Sequence, residues 1–104
     1  MGTYLLAYRG GAMPETDAER DQSMQAWGAF LGGLGADVVD AGNPFGPAKT
    51  VAASGGVSDG ASSGISGYSI ISSGNLGDAT TKAQGCPILA AGGAVEVHEI
   101  FPVM

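Results

Sequence analysis

The spacing of apolar residues divides the first third of the chain into a strand and a helix. Residues 3–8 are apolar or aromatic at nearly every position, which predicts a strand buried on both faces. Spacings of three and four then predict a helix that begins at a cap on Thr16 or Asp17 and ends at Gly35. The residues expected on its inner face are Met24, Trp27, Phe30, Leu31 and Leu34.

The rest of the chain contains three more predicted strands and a second helix. The strands are expected at residues 37–41, 67–73 and 94–101, where apolar residues alternate or cluster. A short helical turn is expected at residues 86–89. Before it, a longer helix is expected to begin at a cap on Asn75 and to run to about residue 84, with an inner face of Leu76, Ala79 and Ala83.

Glycine and serine dominate the middle of the chain. Residues 49–53 allow a short strand, whereas residues 54–64 carry one larger apolar side chain, Val57, and are predicted to be an exposed and mobile hairpin loop. The order of the longer elements is therefore β-α-β-β-α-β. This order predicts an α+β, ferredoxin-like fold with an antiparallel four-stranded sheet, as a single domain over residues 1–104.

Composition predicts a partner chain and excludes some classes of function. Nineteen glycines among 104 residues leave few large side chains for a core, so we expect a second copy to complete it as a homodimer. A net charge of −6 argues against binding to nucleic acid. No apolar run is long enough to span a membrane, no signal peptide opens the chain, and the single cysteine suits a reducing compartment. A cytoplasmic protein is therefore expected.

The inventory of metal ligands and cofactor motifs is small. His98 is the only histidine and Cys86 the only cysteine, so a histidine-rich metal site is excluded. Cys86 follows the second predicted helix and precedes a proline, a position that favours packing over reactivity. No complete dinucleotide-binding motif is present. Neither a metal nor a cofactor is expected.

His98 is the main candidate for acid/base chemistry. Strand alternation predicts that it shares a face with Glu96, whereas Val95 and Val97 face the helices. Glu96, or Asp59 arriving from the loop, would supply the carboxylate that a histidine base needs as a partner. The alternative for His98 is an ordinary strand residue, and the alternative for Asp59, which precedes a glycine, is a turn former.

Three further side chains are candidates for ligand binding. Tyr8 and Tyr68 lie on neighbouring predicted strands and would place hydroxyl groups on the face of His98 if the strand register agrees. Arg9 precedes Gly10 and Gly11 between the first strand and the first helix, where it would assist in binding an anion. With Glu96, these residues would line a partly polar cleft beside the sheet.

Short motifs in a fixed order resemble the YCII-related domain family over essentially the whole chain. In the C-terminal half they are residues 67–71 (GYSII), 75–79 (NLGDA), 82–89 (KAQGCPIL) and 92–97 (GGAVEV). The N-terminal half adds residues 4–6 (YLL), 10–11 (GG), 13–14 (MP), Trp27 and 42–44 (GNP). Residues 57–60 (VSDG) resemble the start of the V-T-D-G-P-F signature of a sister group, without its Pro-Phe.

The resemblance implies a small bacterial protein that forms a homodimer, with two four-stranded sheets facing each other as an α/β barrel. The function of that family is largely unassigned. A proposed active site in relatives uses a histidine on the first helix near an aspartate, and a few relatives act on small aromatic or lactone-like compounds. Residues 23–30 of this chain contain no histidine, so that catalytic base has no counterpart here.

Three functions are compatible with these features. The leading interpretation is a YCII-like homodimer that binds a small molecule in the cleft beside the sheet. The second is a lyase or isomerase that transfers protons on a small cyclic substrate, with His98 and Asp59 as acid and base. The third is a structural or regulatory interaction module without a ligand.

Overall fold

The computed structural model describes residues 2–11 and 13–102. In chain order the elements are β1 (Gly2–Arg9), α1 (Asp17–Leu34), β2 (Val38–Asp40), β3 (Lys49–Val51), β4 (Val57–Asp59), β5 (Ile65–Ser73), α2 (Leu76–Ala83), α3 (Pro87–Ala90) and β6 (Ala94–Ile100). A single 3₁₀ turn, Gly35–Asp37, joins α1 to β2. The longer elements predicted from the sequence are confirmed, with ends that differ by one or two residues.

Four strands form the main sheet, in the spatial order β2-β5-β1-β6. All neighbouring pairs are antiparallel, and β1 lies at the centre, where Leu6 is opposite Ser69 of β5 and Val97 of β6. The predicted α+β class with an antiparallel four-stranded sheet is confirmed, and the order of strands is compatible with the ferredoxin-like arrangement.

Local side chains determine where the two longer helices begin. Oγ1 of Thr16 accepts a hydrogen bond from the backbone amide of Glu19 at 3.1 Å. Oδ1 of Asn75 accepts one from the amide of Asp78 at 2.8 Å. Each cap satisfies an amide that the first turn of a helix leaves unpaired, and Gly35 ends α1 with a φ of 55°. The expected caps are confirmed.

One face of the sheet, which we call the helix face, holds the core. Leu6 of β1 and Ile71 of β5 are fully buried there. The ring of Trp27 on α1 meets the ring of Tyr8 edge-on, with a centroid distance of 4.9 Å. The other buried members of this core are Tyr4, Ala79, Ala83, Cys86 and Ile88.

Two residues expected in the core are exposed instead. Met24 of α1 is 71% exposed and Leu76 of α2 is 47% exposed. Because Trp27 meets Tyr8 near the end of β1, the preceding turns of α1 extend past the sheet. Leu76 is the first residue of α2, and that helix buries its two alanines against the sheet.

The middle of the chain, predicted as an exposed hairpin loop, forms a hairpin of two short strands. β3 and β4 pair with Lys49 opposite Asp59, Thr50 opposite Ser58 and Val51 opposite Val57. All residues from 43 to 64 are exposed, so this hairpin projects from the main sheet; we call residues 48–60 the arm. The predicted exposure of residues 54–64 is confirmed, but β4 lies within the segment that was predicted to be loop, because three residues are too short for a periodic signal.

The molecule is a flat layer of sheet covered by helices on one side. Its extents are 44 × 41 × 18 Å and its radius of gyration is 15.1 Å, whereas a compact domain of about 100 residues has a radius of gyration of about 13 Å. Its accessible surface is 6813 Å², against about 5,300 Å² for a compact monomer of this mass. Among the described residues no helix covers the second face of the sheet.

None of the helices that the structure describes is both long enough and apolar enough to cross a membrane.

Candidate functional site on the open face of the sheet

The uncovered side of the sheet, which we call the open face, carries the candidate site. Side chains alternate along a strand, so Leu5 and Ala7 of β1 point away from the helices. Their partners across the register point the same way. These partners are Tyr68 and Ile70 on β5 and Glu96 and His98 on β6.

Glu96 joins two basic side chains on the open face. Its Oε2 accepts a hydrogen bond from Nη1 of Arg9 at 3.1 Å, and its Oε1 lies 2.9 Å from Nε2 of His98. The three side chains are between 40% and 55% exposed, so the group is accessible from solvent. We call it the Arg9–Glu96–His98 cluster. The prediction that Glu96 and His98 share a face is confirmed.

The cluster keeps Glu96 ionised. The hydrogen bond from His98 and the charge of Arg9 lower the pKa of Glu96 below its ordinary value, while partial burial acts in the opposite direction. An ionised carboxylate only accepts hydrogen bonds, so Nε2 of His98 carries the proton that it donates. In the neutral ring, Nδ1 then keeps its lone pair. The cluster thus places a guanidinium group and a proton acceptor on either side of one carboxylate.

Tyr68 forms the other side of the open face. Its hydroxyl donates to Oδ2 of Asp40 at 3.0 Å, and this hydrogen bond raises the pKa of Tyr68. The ring of Phe45 stacks on that of Tyr68 with a centroid distance of 5.7 Å. Across the register, Ala7 separates Tyr68 from Glu96. The aromatic side of the site, on β5, therefore lies about 10 Å from its charged side, on β6, because the two strands are separated by twice the spacing of neighbouring strands.

A shallow depression adjoins the cluster at the end of β1. Its volume is about 380 Å³, it is open to solvent, and its lining is Arg9, Gly10, Gly64, Gly92, Gly93 and Ala94. The glycine lining brings backbone close to backbone. A Cβ on Gly93 would lie 2.6 Å from the carbonyl oxygen of Arg9, so this position excludes a side chain. The guanidinium group of Arg9 is the charged group of this depression.

Tyr8 lies on the helix face and not on the open face. Its hydroxyl donates to Oγ of Ser69 at 2.7 Å and its ring packs against Trp27. Burial raises the pKa of Tyr8 to about 12. The register pairs Tyr8 with Gly67, one residue before Tyr68, so the two tyrosines point to opposite faces. The predicted placement of Tyr8 in the cleft is therefore wrong.

Asp59 lies on the arm, where it pairs with Nζ of Lys49 at 2.5 Å and remains 91% exposed. Within residues 2–11 and 13–102, no hydrogen bond or ion pair joins Asp59 to His98. The structure thus does not bring the expected acid/base pair together in one chain; Glu96 is the carboxylate beside His98.

Asp40 and Phe45 belong to the open face although the sequence did not indicate it. Oδ1 of Asp40 accepts a hydrogen bond from the amide of Gly42 at 2.9 Å, which orients the carboxylate towards Tyr68. Phe45 follows a proline that bridges to Gly67 of β5. The contacts of Asp40 and Phe45 with Tyr68 join residues far apart in sequence, so no local pattern could have predicted them.

The described part of the chain contains no group of three or more His, Cys, Asp or Glu side chains placed to hold a metal ion. Comparison with models of known protein families, with curated proteins and with solved structures gives no match. Membership of the YCII-related family therefore stays a prediction from the sequence motifs.

Proposed function

We propose that the protein is a YCII-like homodimer that binds a small molecule between the open faces of its two subunits. The observation that carries this proposal is the Arg9–Glu96–His98 cluster on a sheet face that the described part of its own chain leaves uncovered. Apolar residues on that face favour burial by a partner, but buried charged groups need hydrogen-bond partners of their own. A polar ligand held between the faces supplies them.

Surface area supports a dimer. The accessible surface exceeds that of a compact monomer by about 1,500 Å² per chain. A standard protein interface removes about 800 Å² from each partner. Pairing of two open faces as an α/β barrel would remove part of this excess, and the exposed residues 43–64 account for another part.

Charge also favours the open face as the contact. Of the net charge of −6, only −1 comes from the open face, which carries Arg9, Asp40 and Glu96. Two acidic copies therefore repel each other least when these faces meet. The helix side and the start of α1 hold the two basic residues Arg20 and Lys82 and most of the carboxylates, namely Glu15, Asp17, Glu19, Asp21, Asp37, Asp78 and Glu99.

The charged side and the aromatic side of the site define the chemistry of the ligand. Arg9 offers a fixed cation with further donors for an electron-rich oxygen, and His98 offers Nδ1. On the other side of the site, the stacked rings of Phe45 and Tyr68 offer an aromatic surface. A small, partly apolar molecule with a carbonyl, carboxylate or hydroxyl oxygen can contact both the charged side and the aromatic side.

Acid/base catalysis on a small cyclic substrate is the second candidate function. It is favoured by the 2.9 Å contact between Glu96 and His98, because a carboxylate that holds an imidazole in one tautomer orients it as a general base. In this version Glu96 takes the part first expected for Asp59, and Nδ1 of His98 receives the proton.

A thermal-shift screen over aromatic and lactone metabolites, combined with sedimentation, tests the proposal. Wild type is expected to sediment as a dimer at micromolar concentration and to melt at a higher temperature with its ligand. Arg9→Ala and His98→Ala should lose that shift. Glu99→Gln is the matched control, because Glu99 is on the same strand but points to the helix face.

The outcomes separate the candidate functions. Turnover that disappears in His98→Ala would favour the catalytic candidate over simple binding. A stable monomer would overturn the shared site, and a dimer with no ligand in the screen would favour an interaction module.

A further inference from the structure

The arm is a regular hairpin with its own hydrogen bonds. The amide of Gly60 donates to the carbonyl of Ala48 at 2.7 Å, and Oγ1 of Thr50 donates to the carbonyl of Gly60 at 2.7 Å. Across the turn, the amide of Ala52 donates to the carbonyl of Gly56 at 2.8 Å. An isolated two-stranded hairpin is marginally stable in water, so an arm of this regularity is expected to have a surface to rest on.

The two faces of the arm differ in character. Side chains alternate, so Val51 and Val57 lie on one face together with the ion pair of Lys49 and Asp59. The opposite face carries the small polar residues Thr50 and Ser58. Val51 is 68% exposed and Val57 is 63% exposed, although they form a cross-strand pair. We call the side with the two valines the apolar face of the arm.

We propose that the apolar face of each arm packs against the rim of the partner subunit's open face, beside the area covered by the paired sheets, where the partner is a second copy of this chain. This inference rests on the proposed dimer and adds a second contact surface to it. The ring of Phe45, which precedes the arm, stacks on Tyr68 and so makes the base of the arm continuous with the open face. An arm that leaves this edge is placed to extend over a subunit that covers the sheet.

The area of the open face supports an additional contact. The strands of the main sheet have 3, 8, 9 and 7 residues, and at about 3.3 Å per residue and about 4.8 Å spacing their face covers about 430 Å². A stable interface takes roughly 800 Å² from each partner. The two three-residue strands of the arm add about 100 Å² on each subunit. The arm thus enlarges a contact that the sheet alone leaves small.

Charge is compatible with a second copy as the occupant. Lys49 and Asp59 are the only charged residues between positions 43 and 64, so the segment is neutral in a chain of net charge −6. Contact with an acidic partner therefore adds little repulsion. A two-fold axis makes the contact reciprocal, so each dimer contains it twice.

Sedimentation of two variants of the same hairpin tests the inference. Val57→Asp places a charge on the apolar face of the arm, and Ser58→Asp places the same charge on the neighbouring residue of the opposite face. Because the contact occurs twice, Val57→Asp is expected to raise the dimer dissociation constant by about tenfold or more. Ser58→Asp is expected to change it by less than about twofold.

Amide hydrogen exchange of the wild type provides an independent measurement. Residues 49–59 should exchange more slowly above the dissociation constant than below it. If the wild type is a monomer, the proposed dimer fails. If it is a dimer but both variants dissociate like the wild type and the arm gains no protection, the inference on the arm fails and the proposed function stands.

Discussion

A buried chain of hydrogen bonds on the helix face offers a quantitative test of the structure. The hydroxyl of Tyr8 donates to Oγ of Ser69 at 2.7 Å, and the hydroxyl of Ser69 donates to the carbonyl of Ala41 at 2.6 Å. Tyr8 is 5% exposed and Ser69 is 1% exposed. These two hydrogen bonds link β1, β5 and the end of β2. Removal of each hydroxyl in turn therefore measures how strongly these strands are joined.

The two single substitutions should differ in cost. Tyr8→Phe keeps the ring against Trp27 and leaves Ser69 bonded to Ala41, so it should lower the free energy of unfolding by about 0.5–1.5 kcal/mol. Ser69→Ala leaves the Tyr8 hydroxyl and the Ala41 carbonyl without their partner and should cost about 1–3 kcal/mol. In the double variant the tyrosine hydroxyl is already absent, so its cost should be about 1 kcal/mol less than the sum.

Urea unfolding at one fixed protein concentration measures these values, because the stability of a dimer depends on concentration. Tyr4→Phe is the control, since Tyr4 lies on the same strand and face and its hydroxyl makes only a long contact of 3.5 Å with Glu99; it should cost less than about 0.5 kcal/mol. Additive costs of Tyr8→Phe and Ser69→Ala, within about 0.3 kcal/mol, would refute a stabilising bond between the two side chains.

Three further measurements test other parts of the structure. A Cβ on Gly42 would lie 1.7 Å from the carbonyl oxygen of Tyr68 at a φ of 76°, so Gly42→Ala should lower the free energy of unfolding by about 3 kcal/mol or more. Gly33→Ala, in open space on α1, should raise it by about 0.5–1 kcal/mol. Similar urea midpoints for the two variants would contradict this contrast. Each of the three tyrosines has a pKa raised above 10.0, so stability present below pH 10 should decline as the pH rises towards 12. The tyrosinate absorbance of the folded protein should therefore appear at higher pH than in urea, and coincident titration curves would exclude such shifts. The pKa of Glu96 is lowered from its ordinary value of 4.5, so its carboxylate stabilises the fold above pH 4.5, and this stability is lost as the pH falls through the lower pKa of the folded protein. Glu96→Gln should flatten this loss in a circular-dichroism titration with acid. An acid profile like that of wild type would argue against the cluster.

The sequence predicts features whose partners are near in the chain. The caps on Thr16 and Asn75 act on amides three residues away, and Gly35 ends α1 through its own backbone, so each could be predicted from a short window. The shared face of Glu96 and His98 follows in the same way from alternation along one strand.

The features that the sequence does not predict depend on register and on contacts between distant segments. A strand that is apolar at nearly every position offers no alternation, so the sequence does not determine which face Tyr8 takes; the pairing of β5 with β1 determines it. The arm has one pair of valines in a stretch of small residues, too few for a periodic signal. The hydrogen bond between Asp40 and Tyr68 depends on the turn that brings β2 back to β5.

The central position of β1 has a consequence for the route by which the chain folds. β1 is the first strand to be synthesised, but it pairs only with residues 65–73 and 94–100, so both of its ladders close large loops. α1 and the arm make local contacts and can form early, whereas the main sheet is complete only after β6 has been synthesised. During that interval the apolar residues of β1 are exposed on the nascent chain. Folding should therefore be slow for a domain of this size, and the incomplete chain is the form most prone to aggregate.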